Sequence, residues 1–190
     1  MNSLSPKLIL IGASTGGPGL IEQILIALPQ KISVAIVIAQ HMQSGFLKSF
    51  AKRLRRLSDI EVLFAKDTTN IESGFIYLLS NTSQLFSVAK EIKLIQDSKN
   101  STIYHPDIDT LFLSASQLKN STITAYLLSG IGDDGAKGLL ALKKNGSYTV
   151  AQDEESSIVY GMPKSAYEID AHCKIMDIQT IVDDIKERAK

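Results

Sequence analysis

Apolar runs rich in β-branched residues alternate along the chain with segments of helical periodicity. The runs predict strands, the most continuous of them buried on both faces, at residues 8–11, 33–39, 60–65, 75–79, 122–128, 148–151 and 174–176. Apolar positions three and four apart predict helices over 20–28, 47–57 and 108–118. This order predicts an α/β fold, doubly wound, with a mainly parallel sheet and helices on both faces.

Residues 79–97 break the alternation. Short strand-like pieces are separated there by Ser-Asn-Thr-Ser and Ala-Lys-Glu, a pattern typical of an antiparallel hairpin, which we place at an edge of the sheet. No internal repeat, linker or low-complexity tract interrupts the chain. With 190 residues, it is predicted to form a single domain over 1–190.

Composition narrows the class of protein. Hydrophobic residues make up 44% and charged residues 21%, as in folded soluble proteins, and 20 Lys and Arg balance 20 Asp and Glu. Because these charges balance, the chain has no net positive electrostatic field that would attract nucleic acid. A single cysteine, Cys173, excludes an internal disulfide and a multi-cysteine metal site. No apolar run approaches the roughly 20 residues of a membrane span, and no signal peptide is evident, so we predict a cytoplasmic protein without membrane insertion.

A glycine-rich turn follows the first predicted strand. Residues 12–17, Gly-Ala-Ser-Thr-Gly-Gly, match G-x-S-x-G, a strand-turn-helix elbow that exposes a serine hydroxyl at the end of a sheet. Ser14 would lie at a helix N-terminus, where backbone N–H groups favour a developing oxyanion. Alternatively, the turn cradles a phosphate and Ser14 or Thr15 only caps the helix. The turn lacks the lysine of a Walker A loop, and its glycine spacing is not G-x-G-x-x-G.

An activated serine needs a base, and the chain has three histidines. His41 directly follows the strand predicted at 33–39, so a parallel sheet would bring it to the same carboxyl edge as Ser14. His105, before a helix, and His172, near the C-terminus, have less diagnostic settings. We therefore predict that His41 is the base, although a lone histidine commonly has a surface or capping role.

A carboxylate is expected as the third member. The strand over 122–128 runs into Asp133 and Asp134 before another helix, so both acids reach that edge. A buried aspartate there would fix the imidazole tautomer and stabilise the imidazolium, whereas a turn aspartate would only cap the helix. The chain order Ser, His, Asp differs from the Ser, Asp, His order of α/β-hydrolases, which disfavours a lipase-like enzyme.

With these segments assembled, the chain resembles the catalytic domain of CheB-type chemotaxis protein-glutamate methylesterases over nearly its whole length. The blocks that carry the resemblance are 11–18, 40–42 with 45–46 and 50–51, 128–138, and 151–154 with 161–163. The resemblance implies that Ser14 is the nucleophile, His41 the base and Asp134 its partner. Asp133 is then expected to face solvent or to cap the next helix.

The resemblance also implies a reaction and a partner. The expected reaction is hydrolysis of glutamate γ-methyl esters on the cytoplasmic helices of chemoreceptors, with release of methanol and in some cases deamidation of receptor glutamines. We expect backbone N–H groups near Thr15 and Ile131 to hold the oxyanion, and no metal or organic cofactor to be required.

The chain departs from the family pattern in three loops and at its start. Ile131 replaces a usual methionine, residues 77–83 replace an Ala-Pro-Gly loop with a nearby histidine, and His-Pro-Asp within 104–109 replaces Arg-Pro-Ser. Family members generally carry an N-terminal receiver domain, whereas 13 residues precede Ser14. We expect either an isolated catalytic fragment or a protein without phosphorylation control, and the Met-Asn-Ser start favours the second.

Five cations cluster on the helix after His41, largely away from its apolar stripe: Lys48, Lys52, Arg53, Arg55 and Arg56. Such a cluster can be a solvated face or a surface that attracts acidic receptor helices. Three functions thus stay open, namely a receptor methylesterase, a phosphate- or nucleotide-binding module, and a catalytically inactive interaction protein of the same fold. The complete Ser-His-Asp set favours the first.

Overall fold

Strands and helices alternate along most of the chain, as the hydrophobic pattern predicts. The computed structural model describes residues 7–88, 91–97 and 104–190. Its elements, in chain order, are β1 (Lys7–Ala13), α1 (Gly17–Ala27), β2 (Ala35–Gln40), α2 (Ser44–Leu57), β3 (Val62–Phe64), β4 (Thr68–Ile71), β5 (Ile76–Leu78), β6 (Ser83–Val88), β7 (Glu91–Gln96), α3 (Ile108–Ser116), β8 (Thr122–Leu127), α4 (Ala136–Lys144), β9 (Tyr148–Gln152), α5 (Met162–Glu168), β10 (Lys174–Met176) and α6 (Ile178–Ala189).

Seven strands form one parallel sheet in the order β10-β9-β8-β1-β2-β5-β3. These are the seven predicted strands, whose ends differ from the observed ones by no more than two residues. In the sheet, Gly12 of β1 pairs with Ala39 of β2 on one side and Leu127 of β8 on the other. The carboxyl ends of these three strands therefore lie at one level, and the loops that follow them meet there.

The two faces of the sheet carry separate hydrophobic cores. Leu8 and Leu10 of β1 point to the face covered by α3, α4 and α5, whereas Ile9 and Ile11 point to the face covered by α1, α2 and α6. Side chains alternate along a strand, so a continuous apolar run fills both cores at once. The doubly wound α/β fold is therefore confirmed.

The hairpin predicted within 79–97 forms from β6 and β7, but not at an edge of the main sheet. It belongs to a separate three-stranded antiparallel sheet, in which β7 lies between β6 and β4. Leu85, Ile92 and Leu94 on one face of this small sheet join the core on the α3 side. Burial of that apolar face explains why the hairpin packs against the α3 side of the fold instead of extending the parallel sheet.

The helices within the described residues are short. None of them is both long and apolar enough to cross a lipid bilayer.

Candidate active site

Three polar side chains meet at the carboxyl edge of the central strands. Ser14 follows β1, His41 follows β2, and Asp134 lies between β8 and α4. Because β1 is flanked by β2 and β8, consecutive positions across the sheet supply the three groups. The edge of a parallel sheet at which neighbouring loops diverge is a common place for a binding site.

The turn after β1 holds Ser14 in a fixed position. The Ser14 N–H donates to the Ser129 carbonyl oxygen at 3.0 Å, and the Ser14 carbonyl accepts from the Gly17 N–H at 2.9 Å. Gly16 has φ 86°, and a Cβ atom there would lie 2.8 Å from the Cβ of Ile158, so only glycine fits the turn. The side chain of Ser14 consequently lies at the carboxyl end of β1, just before α1 begins, as the G-x-S-x-G pattern predicts.

The three side chains form a continuous hydrogen-bonded line. The Nδ1 atom of His41 lies 3.2 Å from Ser14 Oγ, and its Nε2 atom lies 2.7 Å from Asp134 Oδ2. A carboxylate can only accept, so Nε2 carries the ring proton and Nδ1 presents its lone pair to the serine hydroxyl. This tautomer is the one that can take a proton from Ser14.

Asp134 is buried and held by the start of α3 as well as by His41. Its Oδ2 atom accepts from the Ile108 N–H and its Oδ1 atom from the Asp109 N–H, each at 2.8 Å. The first turn of a helix has unpaired N–H donors and a positive dipole end, which suit a negatively charged carboxylate. Sequence reasoning did not anticipate this contact, because it depends on how α3 docks against the loop before α4.

Asp109, which lies in the first turn of α3, binds the first turn of the next helix in a similar way. Its Oδ1 atom accepts from the Gly138 N–H in the first turn of α4 at 2.6 Å. Burial raises the pKa of Asp109 to about 6, and the charge of Asp134 contributes in the same direction, while the Gly138 N–H opposes the shift. A second carboxyl group, that of Asp109, therefore lies next to the hydrogen-bonded line of Ser14, His41 and Asp134. Its pKa of about 6 lies within the pH range of ordinary kinetic and unfolding experiments.

The remaining candidates of the sequence occupy other positions. Asp133 is exposed, and within the part of the chain that the structure describes only its main-chain carbonyl accepts a bond, from the Ala136 N–H. His105 lies on the wall of the cleft above Ser14, whereas His172 stacks on Tyr167 with ring centroids 5.7 Å apart. Asp134, and not Asp133, is thus the acid in contact with His41.

Tyr104 supports the imidazole from one face. Its ring lies parallel to that of His41, with 1° between the planes and 5.0 Å between the centroids. An offset stack of this kind limits rotation of the imidazole about its side-chain bonds. No sequence pattern pointed to Tyr104, since the contact joins two loops from distant parts of the chain.

A cleft of about 800 Å³ opens over the serine hydroxyl. Its lining includes Thr15 and Ile131, the two predicted oxyanion donors. Neither backbone N–H has an acceptor among the described residues, so both are free to bind an oxygen atom in the cleft. The side chain of Ile131 is 63% exposed, which leaves this loop accessible from the solvent.

The loops that depart from the family pattern form walls of the same cleft. Ser80 and Asn81 line one part of it, and Tyr104 and His105 another. Among the described residues that line the cleft there is no lysine or arginine, which does not favour a phosphate ligand. In the described ranges, no group of three or more His, Cys, Asp and Glu side chains could hold a metal ion.

An α/β fold with Ser, His and Asp on successive strand ends defines a hydrolase-like class, and comparison with known proteins gives the family. Residues 9–185 match the family CheB methylesterase. The crystal structure of the Thermotoga maritima CheB methylesterase catalytic domain superimposes with a TM-score of 0.89 and 32% identity, covering 96% of this chain and 98% of that one. The chain therefore belongs to the CheB methylesterase family.

Curated relatives of this chain are named protein-glutamate methylesterase/protein-glutamine glutaminase, and two of them serve as examples. The protein from Carboxydothermus hydrogenoformans, whose name ends in the number 1, is 37% identical over 185 residues. These residues make up 94% of this chain and 54% of the relative's length. The protein from Photorhabdus laumondii is 41% identical over 177 residues, or 92% of this chain and 50% of its own. The chain thus spans about half the length of the curated relatives it matches.

Proposed function

We propose that this chain hydrolyses glutamate γ-methyl esters on chemoreceptors and releases methanol. The observation that carries the proposal is the line from Ser14 through His41 to Asp134, at the sheet edge of a CheB methylesterase family chain. The names of the relatives support both the ester as substrate and a second activity on receptor glutamines.

The first half of the reaction forms an acyl-enzyme. Ser14 Oγ attacks the ester carbonyl carbon while its proton passes to Nδ1 of His41, and Asp134 stabilises the imidazolium that results. The negative charge on the former carbonyl oxygen is bound by the free N–H groups of Thr15 and Ile131. Collapse of the tetrahedral intermediate breaks the bond to the methoxy oxygen, which takes the proton from His41 and leaves as methanol.

The second half reverses these roles. A water molecule gives a proton to Nδ1 of His41 and attacks the acyl carbon, and the collapse that follows returns the proton to Ser14 Oγ and frees the glutamate side chain. With a glutamine side chain, the proton on His41 goes to the amide nitrogen instead, and ammonia leaves. Both substrates converge on one acyl-enzyme, so one serine serves both reactions.

The cationic face of α2 is where the receptor binds in this proposal. Arg53 is engaged with Glu22 at 2.6 Å, and Arg55 donates to the Val62 carbonyl at 2.7 Å. That leaves Lys48, Lys52 and Arg56, which are exposed and four residues apart, and which have no ion pair among the described residues.

Their spacing places these three cations in a row along α2 that starts beside the cleft, since Ser44 and Gly45 at the beginning of that helix line it. Such a row suits acidic cytoplasmic helices of chemoreceptors, and the enzyme would act in the cytoplasm.

The experiment is mass mapping of a methylated chemoreceptor incubated with the wild-type chain or with Ser14→Ala. We expect the wild type to remove methyl groups from glutamate side chains and to convert glutamines to glutamates, and Ser14→Ala to do neither. A methyl-esterified protein unrelated to chemoreceptors serves as the specificity control and should be demethylated far more slowly. Equal rates on both proteins would contradict the receptor as substrate, and activity of Ser14→Ala would contradict the mechanism.

A further inference from the structure

Gln40, the last residue of β2, is a buried polar side chain next to the nucleophile and the base. It is 1% exposed and lies on the strand face that it shares with Ile36 and Ile38, toward α1. An amide at this depth must find hydrogen-bond partners, because burial without them is unfavourable. The hydrogen-bond partners of the Gln40 side chain therefore indicate its role.

The Nε2 group of Gln40 connects the two catalytic loops. It donates to the Ser14 carbonyl and to the His41 carbonyl, each at 2.9 Å. An amide group has two hydrogens, so each carbonyl receives its own donor. The main chains of the proposed nucleophile and the proposed base are thereby attached to a single side chain, in addition to the bond from the His41 N–H to the Ala13 carbonyl.

The acceptor end of the same amide is left without a bond. Gln40 Oε1 is buried and has no partner among the described residues. It lies against Gly17, where an added Cβ would be only 2.3 Å away, so the start of α1 has room for the amide only because Gly17 lacks a side chain. An unpaired buried acceptor is unfavourable, and the orientation persists because rotating the amide would turn Oε1 toward two carbonyl oxygens.

We propose that Gln40 is a positioning residue of the hydrolase, which keeps Ser14 Oγ and His41 Nδ1 within proton-transfer distance by holding the carbonyl groups of both residues. This inference rests on the proposed function. It concerns the rate of the chemical step and not substrate binding, since Gln40 is buried beneath the turn and does not line the cleft.

The test compares Gln40→Met with the wild type. Methionine has a similar length and volume but no donor, so we expect kcat for methanol release to fall about 100-fold while KM changes little. The control variant is Thr149→Val, which removes another buried bond to a main-chain carbonyl, that of Ala171 at 2.9 Å, between two residues that do not line the cleft. A loss of kcat in Thr149→Val equal to that in Gln40→Met, at matched melting temperature, would overturn the proposal.

A second variant, Gln40→Glu, adds a pH readout that a purely structural role would not change. A buried carboxyl group can donate to a carbonyl only while it is protonated, and burial favours that form. The ratio of its rate to that of the wild type should therefore rise as the pH falls, whereas the ratio for Gln40→Met should stay constant. A ratio independent of pH for Gln40→Glu would contradict the proposal.

Labelling of Ser14 by a fluorophosphonate, followed by intact-protein mass, separates this inference from the proposed substrate. The probe reports on an activated serine whatever ester the enzyme uses. Slower labelling in Gln40→Met supports the positioning role even if receptors are not demethylated. Unchanged labelling would overturn it even if they are.

Discussion

Asp134 binds the first turn of α3, the helix that contains Asp109, and Asp109 binds the first turn of α4, the helix that follows Asp134. Asp134 Oδ1 accepts from the Asp109 N–H at 2.8 Å, and Asp109 Oδ1 accepts from the Gly138 N–H of α4 at 2.6 Å. The two acids thus join the N-terminal turns of α3 and α4 reciprocally. Asp134, which contacts His41, is consequently held by α3 directly and is linked to α4 through Asp109, in addition to its own loop.

The raised pKa of Asp109 makes the stability of the fold depend on pH. A carboxyl group with a pKa of about 6 in the folded state, above its ordinary value, holds its proton more tightly there than in the unfolded chain. Its contribution is fully present below about pH 4 and is lost as the pH rises through about 6. Asp109→Asn, which retains an acceptor for Gly138 but cannot ionise, should gain stability relative to the wild type over that interval.

Urea unfolding at several pH values measures this difference. The free energy of unfolding of Asp109→Asn minus that of the wild type should increase between about pH 4 and about pH 7. A difference that stays constant or decreases would mean that Asp109 is not destabilised by its charge.

The neighbouring acids Asp133 and Asp134 should differ sharply in their effect on turnover. In Asp134→Asn, the negative charge that stabilises the His41 imidazolium is lost. The new NH₂ group either faces His41 Nε2, which disfavours the tautomer that accepts the serine proton, or faces the Asp109 N–H, which removes that bond. We expect a loss of kcat of about 10⁴-fold, the scale known for the orienting acid of a triad. Asp133→Asn should retain most of the activity, and equal losses in the two variants would show that the wrong acid has been assigned.

Charge reversal on α2 should weaken substrate binding without changing the chemistry. For Lys48→Glu combined with Lys52→Glu, we expect KM for a methylated receptor to rise about fivefold or more, with kcat retained, because rim charges act mainly on encounter. The effect should shrink at high salt. Lys119→Glu, an exposed charge on the opposite edge of the sheet, is the control, and an equal rise in KM there would contradict a specific docking face.

The hydrophobic pattern was sufficient to predict the parallel sheet, because strands such as β1 and β2 are buried on both faces and so appear as continuous apolar runs. Strand β4 was not predicted, because it has no such apolar run. Its sequence, Thr-Thr-Asn-Ile, buries only Ile71, and it is ordered by pairing with β7. That pairing also moved the predicted hairpin from the edge of the main sheet into a sheet of its own.

The residues that line up at the sheet edge could be proposed from sequence, since strand ends determine where Ser14, His41 and Asp134 lie. The contacts that hold these three side chains in place could not be predicted from the sequence. The α3 donors to Asp134, the Tyr104 ring on His41 and the Gln40 amide all depend on how distant loops pack, which has no periodic signature. The assignment of catalytic roles stays a prediction that kinetics must test.

Ser14 and His41 should act as one unit in the kinetics. Ser14→Ala and His41→Ala are each expected to lose nearly all turnover, and the double variant should lose no more than either single one, because removing one partner already disables the other. Circular dichroism and thermal unfolding check that the variants fold. Additive losses would mean that the two residues contribute independently, in contradiction to the 3.2 Å contact between Oγ and Nδ1.

Methanol release from a methylated chemoreceptor tests the central claim most directly. Wild-type chain and Ser14→Ala are incubated with the same receptor preparation, and methanol is measured over time under matched conditions. We expect steady release by the wild type and release at the uncatalysed background rate by Ser14→Ala. Release by Ser14→Ala at a rate comparable to that of the wild type would contradict it.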